Sequence, residues 1–207
     1  MIILFRHAKP IIDYGSCNHG HSIDRLNDYN STINLKFDDL DALSDELKAI
    51  VLQNNPVIVY SSELPRSIAT ADYIFNPLGL TINKNGIFSE FDLNIFKIPK
   101  VKLTVQVWFF VSRITWFFGI TNNAKTFLQE INRSKMAAKI LEKHHHENTT
   151  VILVGHGLMN RFIARYFQKS GLEVTKRKQN NLYVIKWKSM GSVEINGRNE
   201  INGVSVD

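Results

Sequence analysis

The chain has 207 residues, 44% of them apolar and 21% charged, which is enough for one domain with a full hydrophobic core and too apolar for global disorder. Its one cysteine, Cys17, excludes an internal disulfide framework and points to a reducing compartment. The net charge of +6 suits anionic substrates; nucleic acid is disfavoured, because the tight basic run Lys176, Arg177 and Lys178 has no stacking aromatics interleaved with it.

The opening MIILFRHAKP has an apolar run too short for a signal-peptide core, so the expected location is the cytoplasm. Ile2 to Phe5 reads instead as a buried strand. Pro10 to Asp39 is long, polar and rich in Asn and Asp, and a loop of that length is expected to be functional, disordered or partly structured. Leu40 to Leu52 has apolar residues at helical spacing, and Val57 to Tyr60 is a second strand. Ser61 and Ser62 can cap a helix over Pro65 to Phe75, with Pro65 in its first turn.

Asn76 to Lys125 breaks this rhythm. It contains LTVQVWFFVSRITWFFGI, in which Gln106 and Arg113 interrupt an apolar run that barely reaches spanning length. A membrane span is therefore not expected, and an interfacial helix is a distant alternative. The stretch reads as a buried helix in an inserted cap or as a contact within a homo-oligomer, and the sequence leaves both open. Trp108, Trp116 and the nearby phenylalanines are read as packing rather than as a ligand cage.

Thr126 to Leu141 is an amphipathic helix, and His144, His145 and His146 at its end read as a solvated helix terminus rather than a metal tract. Val151 to Val154 is a third strand, followed by a helix from Leu158 to Phe167 with Gly171 beyond it. Tyr183 to Trp187 is a fourth strand, near a sheet edge. This alternation predicts an α/β fold with a largely parallel sheet flanked by helices. The expected organisation is a single domain over residues 1–207 with a cap insertion at about 76–125.

In such a sheet, ligands bind outside the carboxyl ends of the strands. Arg6-His7 follows the first strand, Ser61-Ser62 and then Arg66 follow the second, and Gly155-His156-Gly157 follows the third. Two guanidinium groups can grip a phosphate in bidentate fashion. Backbone N–H groups at the helix start after Gly157 can add donors. A neutral imidazole in that cage can act as a nucleophile.

LFRHAKP, SSELPRSIATADYI and VILVGHGLMNRFI together resemble, in order, the three signature elements of the histidine phosphatase superfamily, the phosphoglycerate mutase-like proteins. Ser62, Leu64, Arg66, Thr70 and Ala71 match the second element, with Ser67 in place of its usual alanine, and Ala8 stands where glycine is commonest. The resemblance runs from the first residues to about Phe167. It implies a phosphoglycerate mutase-like fold and hydrolysis of phosphate monoesters of small substrates through a phosphohistidine on His7. Arg6, Arg66 and His156 would hold the phosphoryl oxygens. Glu90, in FSEFDL, would be the acid, with Asp92 its nearest competitor. No metal and no cofactor are implied. A phosphoglycerate-type mutase and a weakly catalytic phosphate-binding module are the alternatives. WFFG with Arg133 downstream resembles a cap pattern of some members.

Overall fold

In the computed structural model of the chain, which describes residues 1–54, 56–120, 125–144, 149–177 and 181–186, the runs at Ile2 and Val151 are strands covered on both faces. β1 (Ile2–Arg6) puts Ile2 and Leu4 into one core and Ile3 and Phe5 into the other. β4 (Thr150–Gly155) divides in the same way, with Val151 and Leu153 on one side and Ile152 and Val154 on the other. Side chains alternate along a strand, so only a strand with two dry faces is apolar at successive positions. Burying each such side chain contributes about 1.5–3 kcal/mol.

The central sheet also contains β2 (Val57–Ser61), β3 (Ile82–Lys84), β5 (Glu173–Arg177) and β6 (Leu182–Lys186), in the order β3-β2-β4-β1-β6-β5. The pairs β3–β2, β2–β4 and β4–β1 are parallel, and β6 is antiparallel to both β1 and β5. Helices α2 (Asp41–Gln53) and α3 (Pro65–Phe75) cover one face through Leu43, Leu47, Ala71, Ile74 and Phe75. Helices α5 (Phe127–Lys143) and α6 (Gly157–Lys169) cover the other through Ala137, Leu141, Ile163 and Phe167. The α/β architecture with a largely parallel sheet is as the sequence predicts.

Local detail follows some expectations and corrects others. The polar stretch 10–39 is partly structured: it contains α1 (His19–Ser31), capped by the Asn18 side chain accepting from the His21 N–H. Helix α1 buries only Ser22 fully, so it lacks the apolar stripe that marks a helix in sequence. Ser61 and Ser62 do not cap α3; its N-cap is Leu64, with no side-chain cap. The Tyr183 strand lies near the sheet edge as expected, one in from β5, which carries Lys176 and Arg177 there as exposed edge strands often do. Lys178, Trp187, His145 and His146 lie outside the described residues, while His144 closes α5 and packs 5.8 Å from the Tyr60 ring.

The aromatic stretch forms α4 (Val105–Phe117), which is buried on one face only. Trp108 and Trp116 pack inward and donate from their indole N–H groups to the Cys17 and Lys125 carbonyls, at 2.9 and 3.0 Å. Val107, Phe110, Ile114 and Phe117 stay exposed. Among the described residues no helix is long and apolar enough to cross a membrane.

Candidate active site

Parallel register brings the chemistry together. Arg6 lies beside Gly155, and Val154 lies beside Ser61. The next residues along the three strands, His7, His156 and Ser62, therefore emerge side by side at the carboxyl end of the sheet. The His7 N–H donates to the Gly155 carbonyl at 3.0 Å, and the Ala8 N–H donates to Thr70 Oγ1 at 3.0 Å. Ala8 does not have a positive φ, so the residue that replaces the usual glycine sits in ordinary backbone geometry.

Hydrogen bonding fixes which His7 nitrogen is available. Nδ1 lies 2.6 Å from the Ala8 carbonyl oxygen. A carbonyl only accepts, so Nδ1 carries the proton. Burial first, then the charges of Arg66 and Arg6, push the imidazolium pKa well below its usual value. The ring is thus neutral, with its lone pair on Nε2, and Arg66 Nε donates to that atom at 3.0 Å. Nucleophilic attack on a phosphorus atom would use this lone pair once Arg66 turns its Nε–H from the ring to a phosphoryl oxygen.

His156 takes the complementary state. Its ring centroid is 5.0 Å from that of His7, and its Nε2 is 2.6 Å from Ser62 Oγ. Ser62 Oγ already accepts the Leu64 N–H, at 3.3 Å. With the Ser62 hydroxyl donating to His156 Nε2, the imidazole proton sits on Nδ1. That Nδ1 is buried and has no partner among the described residues. Burial, followed by His7 and the arginines, lowers the His156 pKa well below its usual value. A neutral ring with one unsatisfied N–H beside His7 is a donor waiting for an anion's oxygen.

Behind the pair, Gly155 leaves room for Asn160, whose Nδ2 donates to the Phe5 carbonyl at 2.9 Å. A Cβ on Gly155 would come within 2.4 Å of Asn160 Oδ1. Glycine here serves close packing rather than a turn.

Above the sheet, α1 closes over both arginines. Arg6 Nη2 donates to the Tyr29 hydroxyl at 3.1 Å. Arg66 Nη1 donates to the Tyr29 carbonyl at 3.2 Å and to Asn30 Oδ1 at 3.1 Å, and its guanidinium lies 4.6 Å from the Tyr29 ring centroid. For Arg66 burial outweighs the support of Tyr29 and Glu90, and its pKa is lowered; for Arg6 that support wins over burial, and its pKa is raised. Both stay cationic. Nothing in the sequence reading singled out Tyr29 or Asn30.

Glu90 stands at the start of α6. Its carboxylate accepts the Phe91 N–H at 3.0 Å, the Met159 N–H at 3.3 Å and the Leu158 N–H at 3.4 Å. The expectation that these helix-start donors serve a phosphate is thus corrected: Leu158 and Met159 point their N–H groups at Glu90. Asp92, the competing carboxylate, has its backbone carbonyl taken by Arg113 Nη1 at 2.8 Å. Arg66, Glu90 and Asp92 line one cavity of about 520 Å³ together with Tyr29, Phe109 and Arg113. Among the described residues no group of three or more His, Cys, Asp or Glu side chains is arranged to hold a metal ion.

The sequence matches the histidine phosphatase superfamily (branch 1) over residues 39–194. That span includes Arg66, Glu90 and His156 and leaves out Arg6 and His7. No curated protein matches the sequence. Among solved structures, the fold is similar to that of a mycobacterial glucosyl-3-phosphoglycerate phosphatase in complex with VO3, at 16% identity, covering 90% of this chain and 96% of that one with a TM-score of 0.56. It is similar to the product of the open reading frame Rv3214 of Mycobacterium tuberculosis, at 18% identity over 89% of this chain and 94% of that one, with a TM-score of 0.54. It is also similar to a phosphoserine phosphatase from Entamoeba histolytica, at 13% identity over the same two shares, with a TM-score of 0.54.

Proposed function

Because the chain belongs to branch 1 of the histidine phosphatase superfamily, we propose that it hydrolyses phosphate monoesters through a phosphohistidine formed at His7 Nε2, without a metal ion. The observation that carries this reading is the tautomer of His7: Nδ1 bound to the Ala8 carbonyl, Nε2 facing Arg66. In the first half-reaction the Nε2 lone pair forms an N–P bond as the bond from phosphorus to the leaving oxygen breaks. Arg6, Arg66 and His156 Nδ1–H hold the phosphoryl oxygens, and the Glu90 carboxyl gives its proton to the departing oxygen. Water then attacks the phosphorus and loses a proton to Glu90. The N–P bond breaks, and inorganic phosphate leaves a neutral His7. Binding an anion brings a counter-charge to these buried cations and an acceptor to the His156 N–H, which supplies electrostatic stabilisation where the reaction needs it. A small phosphate ester whose body fits the cavity over Tyr29 and Phe109 is the substrate this arrangement suits. A reducing cytoplasm suits the buried free thiol of Cys17.

The test is trapping. Brief mixing with a labelled aryl phosphate in the presence of a chelator, followed by an alkaline quench, should leave acid-labile label on the protein, and His7→Ala should carry none. Label on the His7→Ala protein, or none on the wild type while aryl phosphate is turned over, would refute the assignment. Delivery of the label to 3-phosphoglycerate instead of water would make the chain a mutase.

A further inference from the structure

One guanidinium outside the phosphate cage holds the loop that carries Glu90. Arg133, on α5, donates from Nη1 to the Ile87 carbonyl at 2.7 Å and to the Ser89 carbonyl at 2.8 Å. Its Nη2 donates to the Glu90 carbonyl at 3.3 Å. Its Nε pairs with Glu130 Oε2 at 2.6 Å, and the Glu130 side chain is wholly buried. The other Glu130 oxygen accepts the Asp92 N–H at 3.4 Å. One buried ion pair, three positions apart on a single helix, thus grips the backbone at residues 87, 89, 90 and 92. Arg113 adds a second clasp from α4, donating to the Phe91 carbonyl at 3.0 Å and to that of Asp92.

The cost of this arrangement makes its role specific. A buried ion pair is a poor source of stability, because desolvation offsets most of the Coulombic gain. What the Arg133 fork does supply is direction, since a planar guanidinium fixes several acceptors at once. The stretch it fixes has no sheet or helix bonds of its own between Ser89 and Pro99. Without the clasp, the Glu90 carboxyl would depend on its own contacts to the first turn of α6.

We propose that Arg133, with Glu130 as its counter-charge, is a positioning residue for proton transfer at Glu90. It touches no substrate and acts by holding the backbone on both sides of the acid. This inference rests on Glu90 being the general acid, and the experiment separates the two claims. The kcat/KM of wild type, Glu90→Gln, Arg133→Met and the double variant is measured on an alkyl phosphate, whose leaving oxygen needs a proton, and on 4-nitrophenyl phosphate, whose leaving group needs little help. Glu90→Gln should lose about 10²-fold or more on the alkyl ester and far less on the aryl ester. Arg133→Met should show the same selectivity at roughly tenfold, and the double variant should be no worse than Glu90→Gln, because the two changes disable one function. Equal losses on both esters for Glu90→Gln would refute the acid assignment. Selective loss in Glu90→Gln with equal loss in Arg133→Met, or multiplying losses in the double variant, would overturn the positioning role alone. Should Arg133→Met not fold, Glu130→Gln keeps the size and an acceptor while removing the counter-charge. It should show the same selectivity more weakly, and unselective loss there would overturn the role as well.

Discussion

Two layers meet at the candidate site, and different bonds hold them. The lower layer is His7, Ser62, Arg66 and His156, carried on strand ends and the first turn of α3. Its members are placed by sheet register and by contacts such as Ala8 to Thr70 and Ser62 to His156. The upper layer is α1 and the 87–92 loop. It is held by arginine side chains reaching backbone carbonyls: Arg66 to Tyr29, Arg113 to Phe91, and Arg133 to Ile87 and Ser89. A sheet restricts what can change beneath the reacting phosphorus. Side chains gripping carbonyls constrain the path of the chain and leave the residues on it free to vary. On the proposed mechanism, attack on phosphorus is specified below, and the proton donor Glu90 and the choice of ester belong above.

Lesions in the two layers should differ in kind. Arg66→Met removes a cation from the lower layer, and kcat/KM for an aryl phosphate should fall by about 10²–10³-fold, as for loss of one preorganised donor to a developing charge. A loss below tenfold would mean that the upper layer carries the phosphate. Gly155→Ala forces a methyl group against Asn160 and should cost about 1–3 kcal/mol in urea unfolding through overpacking; a neutral result would show that the floor of the site is less rigid than the register implies.

Acid should expose the lower layer as well. His7 and His156 both have pKa values lowered by burial and by neighbouring cations, so below the ordinary histidine value the unfolded chain binds protons that the folded chain refuses. Their contribution is fully present above that value and is lost as pH falls towards the folded pKa. Between pH 6.5 and that point, unfolding free energy should fall by about 1.4 kcal/mol per pH unit for each of the two. His7→Asn should remove one proton's share of the slope, measured by urea titrations across that range. Ser62→Ala lets the His156 proton migrate between ring nitrogens and should lower kcat roughly fivefold, the scale of one net hydrogen bond, with KM little changed. In the upper layer, Tyr29→Phe removes only the hydroxyl that accepts from Arg6. It should shift KM about two- to threefold and leave kcat nearly intact, since one such bond is worth about 1 kcal/mol or less; a dominant effect on kcat would erase the distinction between the layers.

The lower layer is the part that the sequence displays. Its residues follow apolar runs directly, and the distance from strand end to His7, Ser62 or His156 is one or two positions, so a local pattern suffices. Glu90 was placed through family likeness, because its position depends on backbone N–H groups of α6 that lie 68 and 69 residues away. Tyr29 and Asn30 gave no signal, since α1 turns few apolar residues inward and looks like a loop in composition. Arg133 was visible only as part of a cap pattern; its contacts lie 43 to 46 residues back in the chain, and no local spacing reveals a side chain that seeks distant carbonyls. Strands β3 and β5 carry no sequence signal, because three residues at one edge and EVTKR at the other lack an apolar period.

The strand that delivers His7 lies between β4 and β6, pairing Ile2 with both Val151 and Ile185. Its neighbours are made 149 and 183 residues later, counted from Ile2 to Val151 and to Ile185. During synthesis it must stay unpaired while most of the chain is added, a topology that slows folding and leaves a sticky apolar segment in need of protection. A product cut short before Gly155 would lack His156, the ring that lies 5.0 Å from His7.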